Sequence, residues 1–305
     1  MNTKGLLIAA SLSMMALTGC AGANTSVSDG SEKLMTIGSK TYTKQDEYQL
    51  IKRVNGPALT LQATQQLIFD EEVGKTDEIM EQAEGMYNTY AASSDDFEAQ
   101  LKSYGYENKE DYINNVLVPS VQSTELTKKY FTDCQAAIDE EFKPVKVEII
   151  QCDSEDNASK AQEAMKNGEK GSEVAEQYAA TGAAYMGNAQ IITKDNTALP
   201  ARLVNTLSET TASGVLDEIF SDDTSTDDKS YYAVNIVSTD YTENLDDIIT
   251  ALSSNSEVQT DCTVYYLSKY GFEVHDQYIF DYWKVMNPEY LVTRPDLAET
   301  AENDN

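Results

Sequence analysis

Basic residues are scarce. The 305-residue chain holds 22 Lys and Arg against 52 Asp and Glu, a formal net charge of −30. Nucleic acid is excluded as a partner, because binding phosphates requires clustered cations to displace counterions. Flat docking on an anionic membrane surface is excluded for the same reason. What the charge favours is solubility, repulsion between copies and attraction of cationic partners. Histidine is rarer still. His275 is the sole imidazole, and a lone histidine reads as a structural or surface residue. There are four cysteines. Apart from Cys20, these are Cys134, Cys152 and Cys262, an odd set that excludes a full disulfide framework. Buried free thiols are expected, with a Cys134–Cys262 pair left open. Internal repeats are absent, and so are the paired α/β lobes of a solute receptor. The aspartates of "SDDTSTDD", residues 221–228, lack the glycine and the distal glutamate of a calcium loop and read as a solvated loop. Neither a metal nor a cofactor is implied.

What is present is a globular composition, 41% hydrophobic and 24% charged, with length for about two domains. The N-terminus, "MNTKGLLIAASLSMMALTGC", has Lys4 as a short positive region and then an apolar run from Leu6 to Leu17. A membrane-spanning helix needs about 20 apolar residues, so this run fits a signal peptide over residues 1–19 instead. The ending Leu17–Thr18–Gly19–Cys20 resembles the bacterial lipobox. That resemblance implies cleavage before Cys20 and a diacylglyceryl group on its thiol, leaving the protein lipid-anchored on the outer face of the bacterial cell membrane. Loss of residues 1–19 removes one cation, Lys4, and leaves the mature chain more acidic still. Residues 20–34 are small and polar and read as a flexible tether.

The folded part opens with short strands at Met35–Ile37 and Lys40–Tyr42 around a Gly–Ser turn. Thr43 is placed to cap a helix, with Asp46 in the capping-box position. Helical patterns then continue to about residue 142. Thr76 caps a helix whose apolar face is Ile79, Ala83, Met86 and Tyr90. Phe97, Leu101 and Tyr104 share a second face that ends at Gly105, and a third helix begins after Asn108 and should kink or break at Pro119. These stripes read first as packed core; any part left exposed would suit an unfolded chain. At "FKPV" the pattern changes. "VKVEIIQC" is a strand, "NASKAQEAMKNG" a helix, "GSEVAEQYA" a helix capped by Ser172, Thr181–Gly187 a turn region, "LPARLVNTLSE" a helix and "YYAVNIVS" a strand. After Tyr241 helices return. "DQYIFDYWKV" places Tyr278, Tyr282 and Val285 on one stripe, with Phe280 and Trp283 beside it. The fold class is therefore α+β: a helical domain built from both chain ends, 35–143 and 243–287, with an α/β domain inserted at 144–242 and an acidic tail at 288–305.

"VEIIQCDSEDNASKAQEAMKNGEKGSEVAEQYA" resembles the opening of a parvulin-type peptidyl-prolyl isomerase domain. "LPARLVNTLSE" and "YYAVNIVS" are similar to its later helix and closing strand. "FEAQLKSYGYENKEDYINNVLVPSVQSTELTKKYF" and "YGFEVHDQYIFDYW" resemble SurA/PrsA-type chaperone segments. With the lipobox, the order as a whole resembles the PrsA-like foldase lipoproteins. The resemblance implies an extracytoplasmic foldase acting on unfolded or nascent exported proteins, with a homodimer left open. It implies a proline-peptide groove at Met186, Leu199 and Leu203. Two positions depart from the family: its strand histidines correspond here to Glu148 and Ala233. No confident catalytic residue remains, and isomerase activity is expected to be weak or lost. An active isomerase, and a solute-binding or structural envelope lipoprotein, are the alternatives.

Overall fold

The computed structural model describes residues 25–222 and 229–298. The signal region, Cys20 and most of the acidic 221–228 loop lie outside the described residues. The chain divides into a terminal unit, residues 25–67 with 263–298, and a central unit, residues 68–222 with 229–262.

Along the chain, strands β1 (Lys33–Ile37) and β2 (Lys40–Thr43) form a hairpin that turns at Gly38, φ 60°. Thr43 and Asp46 then exchange hydrogen bonds as a capping box, Thr43 N to Asp46 Oδ2 at 2.9 Å and Asp46 N to Thr43 Oγ1 at 3.3 Å. This starts the long helix α1 (Lys44–Glu72). Helix α2 (Asp77–Ala92) is capped by Thr76, whose hydroxyl accepts from Ile79 N. Its buried face is Ile79, Ala83 and Tyr87, while Tyr90 is 40% exposed. The expected stripe thus holds at its start and drifts at its end. Tyr87 instead meets Phe97 edge-on, 5.6 Å between ring centres, at the start of α3 (Phe97–Ser103). Leu101 is buried in the same cluster, but Tyr104 is exposed.

Asn108 caps α4 (Lys109–Tyr112) by accepting from Asp111 N. Pro119 does not break the helical run, which continues from Lys109 to Asp133. A π-turn at Ile113–Leu117, closed by Val118 N donating to Ile113 O, resets the ladder, so that Pro119 falls in the first turn of α5 (Val118–Asp133). Its missing N–H is harmless there. Helix α6 (Gln135–Phe142) ends at Lys143 in the left-handed region, φ 45°.

The sheet comes next. Its members are β3 (Val145–Cys152), β4 (Met186–Ile192), β5 (Gly214–Val215), β6 (Phe220–Ser221) and β7 (Tyr231–Ser238). The order is β4-β3-β7-β5, with β6 also on β7 and every pairing antiparallel. Three helices, α7 (Glu155–Lys166), α8 (Gly171–Tyr178) and α9 (Ala201–Glu209), are threaded between the strands. Alternation sorts the strand residues. Val145, Val147, Ile149, Val234 and Ile236 pack with Leu203, Val204 and Leu207 of α9. Ile150, Cys152 and Ala233 pack with Ala158, Ala161, Met165, Val174 and Ala175 of α7 and α8. Strand β4, expected as a turn region only, is an edge strand with a Gly and few buried positions. Helix α8 begins at Gly171, and Ser172 makes no cap. Helices α10 (Leu245–Leu252) and α11 (Ser256–Lys269) lead to α12 (Gln277–Met286). Cys134, Cys152 and Cys262 are all free thiols. Among the described residues no helix is long and apolar enough to cross a membrane.

The unit boundaries differ from the pattern-based ones. Helices α2 to α6 belong to the same compact unit as the sheet, and the chain ends supply the other unit. Residues 25–32, read as tether, are engaged with the folded unit. Thr25 donates from N and Oγ1 to Asp276 Oδ2 at 3.0 and 2.7 Å, and Val27 N donates to Gln45 Oε1. At the other end, Leu291 is buried against Trp283 and Ile279, with Leu297 packed alongside. The start of the acidic tail therefore belongs to the core of the terminal unit.

Candidate functional site

Two places were expected to carry function, and the structure treats them differently. The first is the strand β3 position of Glu148. Its register partner is Asn235, whose amide donates to Glu148 Oε2 at 2.9 Å. The Glu148 side chain lies under the first turn of α8. A Cβ at Gly171 would come within 3.0 Å of it and 2.7 Å of Gly187 O. Gly187 itself has φ 69°, and a Cβ there would meet Gly171 O at 2.1 Å. The two glycines let α8 and β4 close over the carboxylate, at the helix end where negative charge is favoured. Glu148 is thus a half-buried brace between β7 and α8. Ala233 is fully buried among alanines and Met165, opposite Ile150. It presents no polar atom beyond its backbone.

Of the groove candidates, Leu199 and Leu203 are brought together in the core and Met186 stands apart. Leu203 is 0% and Leu199 5% exposed, both in the cluster beneath α9, on the sheet face opposite Glu148. Met186 stands at the start of the edge strand and is 38% exposed. The loop before it is pinned by Gln151, whose side chain accepts from Ala184 N at 3.0 Å and donates to Ser230 Oγ at 2.8 Å. Gln151 O accepts from Ala180 N, and Gln151 N donates to Tyr185 O. Burial pushes the Cys152 thiol up to about 11, so it is no nucleophile near neutrality. The central unit also has a recess of about 280 Å³ lined by Glu98, Leu101, Tyr106 and Asn108 among others. Its acids and Lys102 are exposed, Lys109 lies over the Tyr87 ring, and the charges alternate in sign. Among the described residues no group of three or more His, Cys, Asp and Glu side chains is placed to hold a metal.

The second place is the apolar surface of the terminal unit. Seventeen large hydrophobic side chains are exposed among the described residues, and thirteen of them belong to this smaller unit. On α1 they are Leu50, Ile51, Val54, Leu59 and Leu67. On α12 they are Tyr278, Tyr282, Val285 and Met286, while Ile279 and Trp283 turn inward. Leu50, Ile51 and Val54 share one side of α1, whereas Leu59 and Leu67 fall on other sides, and α12 touches α1 beside the first group. Pro57 lies inside α1 and has no N–H to give Arg53 O, the acceptor four residues back. Tyr278 supplies the missing donor, its hydroxyl 3.1 Å from Arg53 O. A helix defect in one element is thus repaired by an aromatic side chain of the other, which places a tyrosine ring beside the exposed residues of α1.

A polar latch holds this surface in shape. Asp276 caps α12 through Oδ1, accepting from Tyr278 N at 3.0 Å and Ile279 N at 3.3 Å. Its Oδ2 takes Thr25 and also Lys52 Nζ at 3.0 Å. Lys52 and Asp276 are 4% and 5% exposed. Burial alone would raise the Asp276 carboxyl. The hydrogen bonds from Thr25, Lys52 and Ile279 outweigh it and hold the group far below the usual carboxylate range. One local sign of the latch stood in the sequence, an aspartate just ahead of an aromatic-rich helix. The partners, 224 and 251 residues away, left none.

Scanned against protein-family models, the chain matches none, and a search of curated proteins likewise gives no match. Among solved structures the chain is similar to foldase protein PrsA from Streptococcus pneumoniae, with 18% identity over 85% of this chain and 99% of that one and a TM-score of 0.41. It is similar to the peptidylprolyl isomerase PrsA from Bacillus cereus at 16% identity, covering 88% and 99%, TM-score 0.45. PrsA from Bacillus subtilis is similar at 15% identity, covering 82% and 97%, TM-score 0.38.

Proposed function

We propose that this protein is a lipid-anchored, extracytoplasmic folding factor. Its terminal unit holds unfolded exported chains on the exposed apolar residues of α1 and α12, and its sheet domain has weak or no isomerase activity. The observation that carries the reading is the segregation of exposed apolar side chains into one unit. A soluble monomer seldom leaves a contiguous apolar patch of more than a few hundred Å² without a use for it. Tyr and Met suit varied clients, because they offer area without demanding one partner shape. The strongly acidic chain adds attraction for cationic stretches of such clients. The lipobox supports the anchor at Cys20 and, with it, work outside the cytoplasm.

Weak isomerase activity is expected from the braced Glu148 and the buried Ala233. Prolyl isomerisation must cross about 18–20 kcal/mol, and each tenfold acceleration needs about 1.4 kcal/mol of transition-state stabilisation. No imidazole lies between residues 145 and 238, and the polar pair that is present is engaged with itself and with α8.

The decisive experiment measures aggregation of a reduced, unfolded client with the protein in molar excess. The parent chain suppresses light scattering, and Val54→Lys combined with Tyr282→Lys removes most of that effect while circular dichroism stays unchanged. Suppression that is indifferent to the double substitution rejects the surface. A proline-peptide assay coupled to a protease gives rates close to buffer. Turnover well above buffer that falls with Leu203→Ala rejects the reading of weak activity.

A further inference from the structure

We propose that the β1–β2 hairpin is a membrane-contact element, its aliphatic side chains entering the acyl boundary and its lysines engaging anionic headgroups. The proposal rests on the Cys20 anchor put forward above. The first observation is exposure. All five residues of β1 are exposed, on both faces of the strand, with Leu34 at 52%, Met35 at 54% and Ile37 at 77%. The two strands pair only with each other. Isolated two-stranded ribbons are marginal in water, and a strand with no buried face has apolar side chains that packing does not explain.

Charge is the second observation. Residues 33–44 contain Lys33, Lys40 and Lys44 and no carboxylate, in a chain of net charge −30. Acids close in the chain are Asp29 and Glu32, the latter 3.9 Å from Lys44, and Asp46 and Glu47 in the first turn of α1. The overall charge that argues against flat docking of the whole body does not reach this hairpin in full, because the Debye length is about 8 Å at physiological ionic strength. Lysines flanking aliphatic residues, with Tyr42 beside them, are the mixture that settles at a bilayer interface.

Reach is the third. Thr25 is locked to Asp276, and its hydroxyl lies 2.6 Å from Tyr48 OH in α1. Tyr48 stands one helical turn after Lys44, so the anchored end of the chain is fastened at the end of α1 from which the hairpin emerges. The chain from Cys20 to Thr25 is short, and at most about 3.5 Å per residue leaves little room between that point and the bilayer. A second copy is a poorer occupant. It would bring lysines against lysines and one strongly acidic body against another.

The test uses the full lipidated chain in vesicles of phosphatidylglycerol and phosphatidylcholine with brominated acyl chains. The indole introduced by Ile37→Trp is expected to lose about half of its emission to bromine, with buried Trp283 as the unquenched background. Met35→Trp repeats the measurement at a second position, so that one misfolded variant does not decide it. Adding Lys33→Glu, Lys40→Glu and Lys44→Glu, or raising salt to about 1 M where the Debye length is about 3 Å, relieves the quenching. Mass measurement of the N-terminal peptide and sedimentation of a Cys20→Ala chain check the anchor independently. A lipidated, sedimenting chain whose introduced indoles ignore bromine overturns the hairpin contact and leaves the anchor standing. An unmodified Cys20 ends both. Dimers in detergent that Ile37→Glu dissociates would assign the hairpin to a second copy instead.

Discussion

The two units solve the same problem with different materials. The central unit buries aliphatic side chains on both faces of its sheet, with Val147, Ile149, Val234, Leu203 and Ala233 at 0% exposure. Its stability comes from removing apolar area from water, about 25 cal/mol per Å². The terminal unit has a small cluster around Trp283, Ile279 and Leu291 and leaves thirteen of its large apolar side chains exposed. A buried aspartate with Thr25, Lys52, Tyr278 and Ile279 as donors supplements that small core. Apolar surface left exposed is not available for packing, and a latch of polar groups holds two helices together without using that surface.

Substitutions can break this comparison, and the largest effect is expected at the latch. Asp276→Asn leaves Lys52 buried without its counter-charge, which costs about 3–5 kcal/mol. Trp283 is the only tryptophan and sits in the terminal unit, so its emission during urea unfolding reads that unit. The substitution should move the emission midpoint and leave most of the circular dichroism of the central unit in place. Acid should mimic it. Because the folded Asp276 carboxyl is depressed, its contribution is complete above the unfolded value near 3.9 and is lost as pH falls through the lower folded value. The emission midpoint should then drop below about pH 4 in the parent chain and stay flat there in Asp276→Asn.

Leu203→Ala should cost about 2–5 kcal/mol, seen in the circular dichroism of the central unit with the Trp283 transition unmoved. If both signals shift together for both substitutions, the units unfold as one and the contrast fails. Gly171→Ala comes next, at about 1–3 kcal/mol, because its Cβ would press on Gly187 O and Glu148. Glu148→Ala in the same chain should recover part of that loss in a denaturant titration. Tyr278→Phe is the smallest, about 0.5–1.5 kcal/mol, and it returns Arg53 O to water. Hydrogen exchange at α1 near Pro57 should speed up while exchange elsewhere holds.

Local chemistry made much of this fold legible. The caps at Thr43, Thr76 and Asn108 and the left-handed glycines Gly105 and Gly168 could be read from single short stretches, as could the strands β3 and β7. Strand β4 could not, because an edge strand with a glycine and several exposed polar or small positions carries no alternation. The α2 stripe drifted from Tyr90 to Tyr87 because the choice between them depends on where Phe97 arrives. At the expected groove, the identity of Glu148 was visible but its situation was not. Gly171 and Gly187, well apart in the chain, had to be seen back to back before the glutamate became a brace. The latch was least legible of all, since a lysine, a threonine and an aspartate from three distant stretches carry no shared pattern.

The bond between Thr25 and Asp276 also sets an order of events. If the chain is exported N-terminus first, as proposed above, Thr25, the hairpin and α1 emerge first, and the partner for Lys52 arrives 224 residues after it. The contiguous middle of the molecule can complete itself in the meantime, as domains do during vectorial synthesis. Until the last stretch emerges, the early segment waits with a lone ammonium and uncovered leucines. For that interval, on the function proposed above, the protein is itself the kind of chain it would hold.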